Sequence, residues 1–399
     1  MRVVHVLASA SGSWGGPPRV VRDLTHALEP LGVDNVVVAL KTRGSFLVEF
    51  SGRTKLIECG TAAIPKLAIP ASTKLVRKLT KEIDSSYLVH IHELWHFPHV
   101  TGALISLALD RPYVITLHGE LQPWPMTQHS FLKRVAWHAY EKQILQRTSC
   151  LHVLTPLERE ATEALCPGVP ISVIPNGVDL SLIDAALETV PKLIRADGGI
   201  DEPYLLLVGR LAPEKGLRVL LEAFSILCND MKELRLIIAG PDQLGLWGAL
   251  RIQAEELGIS KRVSYLGTVS EPTKYRLFAS ARAFLLTSAS EGLSVSLLEA
   301  LACGTPAIIS TGTHLPEVET EGAGRVVKPS ATLFAEAIRE MLQDDVSRET
   351  MGVNARKLVA SRFSVHSMAA RMVELYREAV AYHSKAVSRG RNASSRWND

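Results

Sequence analysis

Long apolar runs are missing from this 399-residue sequence: no stretch reaches the roughly 18 residues that a membrane-spanning helix requires. Paired cysteines are missing too. The five present, Cys59, Cys150, Cys166, Cys228 and Cys303, are scattered, odd in number and never spaced as Cys-x-x-Cys. That pattern excludes a disulfide framework or cysteine zinc cage and fits reduced thiols. An excess of one charge is also absent. The 44 Lys and Arg against 41 Asp and Glu leave +3 without a clustered block, so no nucleic-acid partner is expected. The amino terminus opens on a short strand and lacks the apolar region and cleavage site of a signal peptide, so a cytoplasmic location is expected.

What is present is a globular balance, 47% hydrophobic and 21% charged, in a chain long enough for two ordinary cores. Short apolar runs at residues 3–8, 35–40, 87–91, 113–117 and 150–154 read as buried strands. Helical patterns at 18–31, 73–83 and 131–146 lie between them. A second strand series runs through 204–208, 235–239, 263–266, 283–287 and 307–310. This alternation predicts an α/β fold of two doubly wound domains with parallel sheets covered on both faces. The stretch 181–202 lacks a strand and ends in Asp197-Gly198-Gly199, which places the junction between about 175 and 203. The expected domains are therefore 1–175 and 176–365, with a last helix at about 366–385 and a disordered tail at 386–399. Folds of this kind bind ligands beyond the carboxyl ends of their strands.

The loops there carry the chemistry. The segment Ser11-Gly12-Ser13-Trp14-Gly15-Gly16-Pro17-Pro18 follows the first strand and opens a helix, so backbone N–H groups and a helix amino end can face an anion. It reads equally as a glycine turn, and it is not the G-x-G-x-x-G fingerprint of dehydrogenases. Gly209-Arg210-Leu211-Ala212-Pro213-Glu214-Lys215-Gly216 leaves the first strand of the second series with two cations that could match a diphosphate. Glu291 and Glu299 bracket Gly292, Leu293 and Ser294, eight residues apart. Taken as one helix, that is roughly 12 Å along the axis. It exceeds the roughly 5–10 Å of an acid/base pair at one glycosidic bond, and suits a grip on both ends of a nucleotide sugar.

In this order, Gly15-Gly16, Ile174-Pro175-Asn176-Gly177-Val178-Asp179, the 209–216 loop and the Glu-x7-Glu element resemble the retaining GT-B glycosyltransferases of family 4. The likeness runs from Val3 to about Phe363. It implies two Rossmann-like domains facing a central cleft, with the last helix returning to the first domain. It implies that Arg210 and Lys215 neutralise the donor diphosphate, that Glu299 holds the ribose hydroxyls and that Glu291 contacts the transferred sugar. Amides after Gly292, at Leu293 and Ser294, approach the phosphates, and Gly15 and Gly16 complete the cradle. Gly209 and the Gly267-Thr268 loop line the donor, the latter at its base. His118, in Thr116-Leu117-His118-Gly119-Glu120, matches the histidine beside the sugar, and Asp179 the aspartate of the interdomain connection.

The activity implied is retaining transfer of a hexose-type sugar from a UDP- or GDP-sugar to a glycan or lipid-linked acceptor. The leaving phosphate helps deprotonate the acceptor, so no protein nucleophile is required. No Asp-x-Asp triplet occurs, and no divalent metal or other cofactor is expected. His90, His92, His96 and His99 crowd one segment, which raises a metal site, but no Asp or Cys ligand pattern accompanies them. His92, Trp95 and Glu120 are placed on the acceptor side, with packing as the alternative for Trp95. Residues 129–147 set Lys133, Arg134, Lys142 and Arg147 beside Phe131, Leu132, Val135, Trp137 and Tyr140. Such a helix either packs on the surface or lies on an anionic membrane. A nucleotide-sugar epimerase of the same architecture and a non-catalytic nucleotide-sugar-binding protein are the rival readings.

Overall fold

Runs of Val, Leu and Ile become the central strands of two sheets in the computed structural model, which describes residues 1–41, 48–50, 52–60, 62–63, 70–128, 130–189 and 203–395. The chain divides into two units, Met1–Asn176 with Val365–Asp399, and Gly177–Ser364.

The first unit holds β1 (Arg2–Ser9), β2 (Asp34–Leu40), β3 (Lys55–Cys59), β4 (Leu88–His92), β5 (Tyr113–Thr116), β6 (Cys150–Val153) and β7 (Ile171–Val173). They pair in parallel in the order β3-β2-β1-β4-β5-β6-β7. Val4 faces Val36 on one side and Val89 on the other, all buried, which is why these strands read as unbroken apolar runs rather than alternating ones. Helices α1 (Pro17–Leu28), α2 (Thr73–Asp84), α3 (Phe97–Ala108), α4 (residues 130–146) and α5 (Pro156–Leu165) belong to the same unit. A π-helical turn at Trp137–Glu141 interrupts α4. Side-chain caps start α2 and α5: Ser72 accepts from the Leu75 amide and Thr155 from the Glu158 amide.

The second unit repeats the plan with β8 (Tyr204–Val208), β9 (Arg235–Ala239), β10 (Val263–Tyr265), β11 (Ala283–Leu286), β12 (Ala307–Ser310) and β13 (Gly324–Val327). Their order is β10-β9-β8-β11-β12-β13, again parallel, so the winding reverses between β8 and β11. Helices α6 (Leu217–Leu227), α7 (Glu271–Ser280) and α8 (Val295–Ala302) lie in this unit.

The last helix, α9 (Val365–Ser395), belongs to the first unit, where Met368, Met372 and Tyr376 pack with Val3, Leu24, Leu28 and Val114. Each such apolar side chain contributes about 1.5–3 kcal/mol.

Three strands and the last helix differ from the sequence expectation. β3, β7 and β13 are strands that residue patterning did not signal. All three are short, and β3 carries Lys55 and Glu58, which break the apolar run. The last helix continues through 386–395, where a disordered tail was expected, and 396–399 lie outside the described residues. The junction, where no strand was expected, contains a helix, Leu180–Thr189, while Asp197-Gly198-Gly199 lies outside the described residues.

Candidate active site

In the second unit the loops leaving β8, β11 and β12 converge at the point where the winding reverses. β8 is followed by Gly209, whose amide donates to Ala239 O at 2.9 Å. Gly240 crosses so close that a Cβ there would sit 1.9 Å from the Gly209 carbonyl oxygen. The loop then makes a 3-10 turn at Pro213–Lys215 and reaches Gly216, at φ 63°, the first cap of α6. A Cβ on Gly216 would meet Thr287 O at 2.2 Å, so only glycine lets the two loops touch. Hydrogen bonds lace them together: Ala289 N to Glu214 O at 2.7 Å, Thr287 Oγ1 to Lys215 O at 2.8 Å, and Glu291 N to Gly312 O at 3.0 Å. The result is a frame held without the ligand, which is what electrostatic preorganisation requires.

The charges on this frame are paired. Lys215 Nζ lies 2.6 Å from Glu291 Oε1, the side chains 13% and 11% exposed, and Ser288 Oγ donates to the same oxygen. Arg210 is more open, 37% exposed, and bridges to Glu214 at 2.9 Å. Glu291 stands on the loop and only Val295 onward is helical, so the span of roughly 12 Å derived from one helix does not apply to Glu291 and Glu299. Ser294 caps α8 by accepting from the Leu297 amide, Leu293 is buried and Gly292 lies on the bend between them.

Glu299 is in α8, 5% exposed, and its Oε1 lies 2.5 Å from Lys274 Nζ. Its Oε2 is buried with no hydrogen-bond partner among the described residues. Lys274 was not singled out from sequence: a single lysine in a helical pattern reads as a solvent-facing charge, yet here it is 2% exposed. The Gly267 carbonyl accepts from Gly240 N at 2.7 Å, while Thr268 is exposed. Asp179 caps the helix Leu180–Thr189, accepting from Ser181 N at 3.0 Å and Leu182 N at 3.1 Å.

In the first unit, Gly15 and Gly16 join a 3-10 turn to α1, and the Gly16 carbonyl accepts from Arg19 N and Val20 N at 3.0 and 3.1 Å. The ends of β4 and β5 hold three non-glycine residues in the left-handed region, Glu93 at φ 67°, Trp95 at 63° and His118 at 51°, a concentration of strain typical of functional sites. Glu158, also unanticipated, steadies the His118 turn: it is fully buried and accepts from Gly119 N at 2.5 Å and Leu154 N at 2.7 Å. Burial lifts its pKa to about 7 against the pull of those two amides. Glu120 accepts from the Leu94 amide, and burial, then the neighbouring Glu93, raise its pKa well above the ordinary range.

His118 is half-buried, whereas His92 is 2% exposed and lies behind it. Trp95 carries Lys133 Nζ 5.4 Å from its ring centroid, and its indole N–H is buried with no hydrogen-bond partner among the described residues. Lys133 also donates to Pro125 O at 2.8 Å, so it is committed to packing rather than to an outward basic face. Among the described residues, two groups bring possible ligand atoms within 4.8 Å of one another: His5 with His90 and His92, and Glu93 with His96 and Glu120. Glutamates thus accompany the histidine segment where no Asp or Cys does. His99 lies apart, 2.9 Å from Glu141.

A cation-bearing loop and a helix amino end at the switch point of a doubly wound sheet define a unit built for anionic nucleotides. Family models for Glycosyltransferase Family 4 and for Glycosyl transferases group 1 match residues 14–182 and 192–358. The chain is 28% identical to the D-inositol 3-phosphate glycosyltransferase of Corynebacterium urealyticum over 394 residues, 92% of each chain. It is 25% identical to the alpha-maltose-1-phosphate synthase of Mycolicibacterium smegmatis over 328 residues, 76% of this chain and 82% of that one. Among solved structures, the sucrose-phosphate synthase of Thermosynechococcus elongatus aligns with a TM-score of 0.74 at 23% identity, over 96% of this chain and 99% of that one. Anabaena HepE in complex with UDP and glucose aligns at 0.73 and 20% identity, over 94% and 99%. The chain belongs to the GT-B glycosyltransferases of family 4, glycosyl transferases group 1.

No helix among the described residues is long and apolar enough to cross a membrane.

Proposed function

We propose that this glycosyltransferase moves a hexose-type sugar, with retention, from a UDP- or GDP-sugar to a glycan or lipid-linked acceptor. The observation that carries the reading is the laced frame around Lys215 at the switch point. It holds a cation, a carboxylate and a helix amino end in fixed relation before any ligand arrives. Support for the donor class comes from a protein of the same fold that holds UDP and glucose.

In the reaction proposed, Arg210, Lys215 and the amides at the start of α8 hold the diphosphate, and Glu299 accepts from ribose hydroxyls through its unpartnered oxygen. The bond from the sugar's anomeric carbon to the phosphate oxygen breaks as the acceptor oxygen bonds to that carbon on the same face. The acceptor's proton passes to the departing phosphate oxygen. Negative charge grows on the diphosphate, so the cations contribute most in the transition state. No divalent metal is needed on this account.

The exposed Phe131, Leu132 and Val135 of α4, beside the exposed Arg134, favour contact with a membrane or lipid-linked acceptor.

Nucleotide release from UDP- and GDP-sugars in EDTA tests the reading, after a thermal-shift screen has chosen the donor. Release in EDTA supports it. Release that vanishes in EDTA and returns with magnesium removes the metal-free mechanism, and no response to any nucleotide sugar removes the donor class.

A further inference from the structure

From His118 inward, three imidazoles run into the sheet in single file: His118, His92 and His5. His118 Nε2 is 3.5 Å from His92 Nδ1, His92 Nε2 is 3.2 Å from His5 Nδ1, and His5 Nε2 is 3.2 Å from Asn35 Oδ1. Each link needs one donor and one acceptor, so the inner end sets the direction of all of them. That end is unambiguous. Asn35 Nδ2 faces the carbonyl oxygens of Thr25 and Val33 at 3.1 and 3.4 Å, and these can only accept, so Oδ1 must face His5.

An amide oxygen only accepts, so His5 carries its proton on Nε2 and offers the Nδ1 lone pair. His92 must then donate from Nε2 and accept at Nδ1, and His118 must donate from Nε2. Asn35, His5 and His92 are 1%, 0% and 2% exposed, so water does not reach in to reverse the order.

A second file beside the first is fixed in the same way. His152 Nε2 donates to the Ile174 carbonyl at 2.7 Å, leaving Nδ1 to accept from Thr116 Oγ1 at 2.7 Å. Thr116 in turn accepts from His90 Nε2 at 2.6 Å, and the Tyr376 hydroxyl donates to His90 Nδ1 at 2.7 Å. The two files leave no nitrogen of His5, His90, His92 or His152 unpaired. This accounts for the His5, His90 and His92 group without a metal. Nδ1 of His118 alone has no hydrogen-bond partner among the described residues.

We propose that His5, His92 and Asn35 are positioning residues that lock His118 as the Nε2–H tautomer, so that its Nδ1 accepts a hydrogen bond from a sugar hydroxyl. The proposal deepens the glycosyltransferase reading and rests on it for the placement of the sugar. Burial, then the neighbouring His152, lowers the His118 pKa to about 3, which keeps the ring neutral at working pH. A neutral ring with an outward lone pair accepts from a hydroxyl and repels a carboxylate. The donor sugar facing it therefore carries a hydroxyl there, not the carboxylate of a uronic acid.

Long-range proton–nitrogen correlation on the full chain with ¹⁵N-labelled histidine reads the tautomer directly, His118 being assigned by its loss in His118→Gln. The expected spectrum shows His118 neutral with the proton on Nε2 at about pH 7, the ordinary histidine pKa being near 6.5. A proton on Nδ1, or a mixture, overturns the lock. No substrate is involved, so this outcome is distinct from an absence of transfer, which would sink the functional reading instead. His5→Leu should release His118 to a tautomer mixture and lower kcat/KM about tenfold, the effect of about one lost hydrogen bond. His5→Gln, which can accept from His92 and donate to Asn35, should restore both. A uronate donor that stabilises the protein as well as its hexose counterpart does would overturn the acceptor role of Nδ1.

Discussion

Lys215 Nζ sits 2.6 Å from Glu291 Oε1, so the cation assigned to the donor diphosphate is already neutralised by a carboxylate of the same site. On the proposed reading, an arriving diphosphate would exchange one anion for another, freeing Glu291 toward the sugar as Lys215 turns to the phosphate.

Removing the competing charge should therefore separate binding from turnover. Glu291→Gln should bind free UDP or GDP roughly three- to tenfold more tightly, because Lys215 no longer gives up a charged partner. Its turnover should nevertheless fall. Calorimetric titration with the nucleoside diphosphate checks the first part, and weaker binding in the variant would contradict the exchange.

Lys274 and Glu299 form a nearly dry pair, and breaking such a pair costs more than the pair itself contributes. Lys274→Met should destabilise the second unit by about 3–5 kcal/mol by leaving a buried carboxylate uncompensated. It should also raise KM for the donor. The double variant Lys274→Met with Glu299→Gln should recover stability in urea unfolding but not donor affinity. A single variant that unfolds like the parent would show Glu299 to be protonated or solvated.

Acid should weaken the first unit. Burial lowers His5, His96 and His152 to about 4 and His118 to about 3, and holds His90 and His92 well below the ordinary histidine value. Below about pH 6.5 the unfolded chain takes up protons that the folded chain refuses, so stability is full above that pH and is lost as pH falls toward these values. Glu158, raised to about 7, and Glu120, raised well above its ordinary range, act in the opposite sense. Six histidines outweigh two carboxyls. Tm should fall between about pH 7 and about pH 5, and a flat or rising Tm would contradict the count.

Membrane contact can be tested apart from catalysis by flotation with anionic liposomes at low salt. Phe131→Ser with Leu132→Ser should abolish flotation, and Arg134→Ala should weaken it. Lys133→Ala should instead cost stability, since Lys133 covers Trp95 and holds the Pro125 carbonyl. A parent protein that stays in the soluble fraction would remove the membrane from the account.

Much of the frame was legible because its signals are local. Buried parallel strands announce themselves as apolar runs, and glycines flanking Arg210 and Lys215 mark a loop that must touch its neighbours. Residues whose role depends on a distant partner were not legible. Lys274 looks like any helix lysine until Glu299 is seen beside it, 25 positions on. Glu158 lies 39 positions from the Gly119 amide it holds, and Asn35 30 from the histidine whose proton it orders. His5 was hidden in a strand that reads as wholly apolar. The histidine segment suggested a metal or an acceptor subsite, but the nitrogens of His90 go to Tyr376 and Thr116 and those of His92 to His5 and His118, partners that lie far off in sequence.

The central claim is that Lys215 stabilises charge growing on a departing diphosphate. The measurement that tests it most directly is turnover at saturating donor, followed by nucleotide release, in Lys215→Ala against the parent. The account predicts a folded variant whose turnover is down by about two to three orders of magnitude, with a smaller change in KM. Turnover close to that of the parent would contradict it and leave the 209–216 loop a structural link between strand and helix.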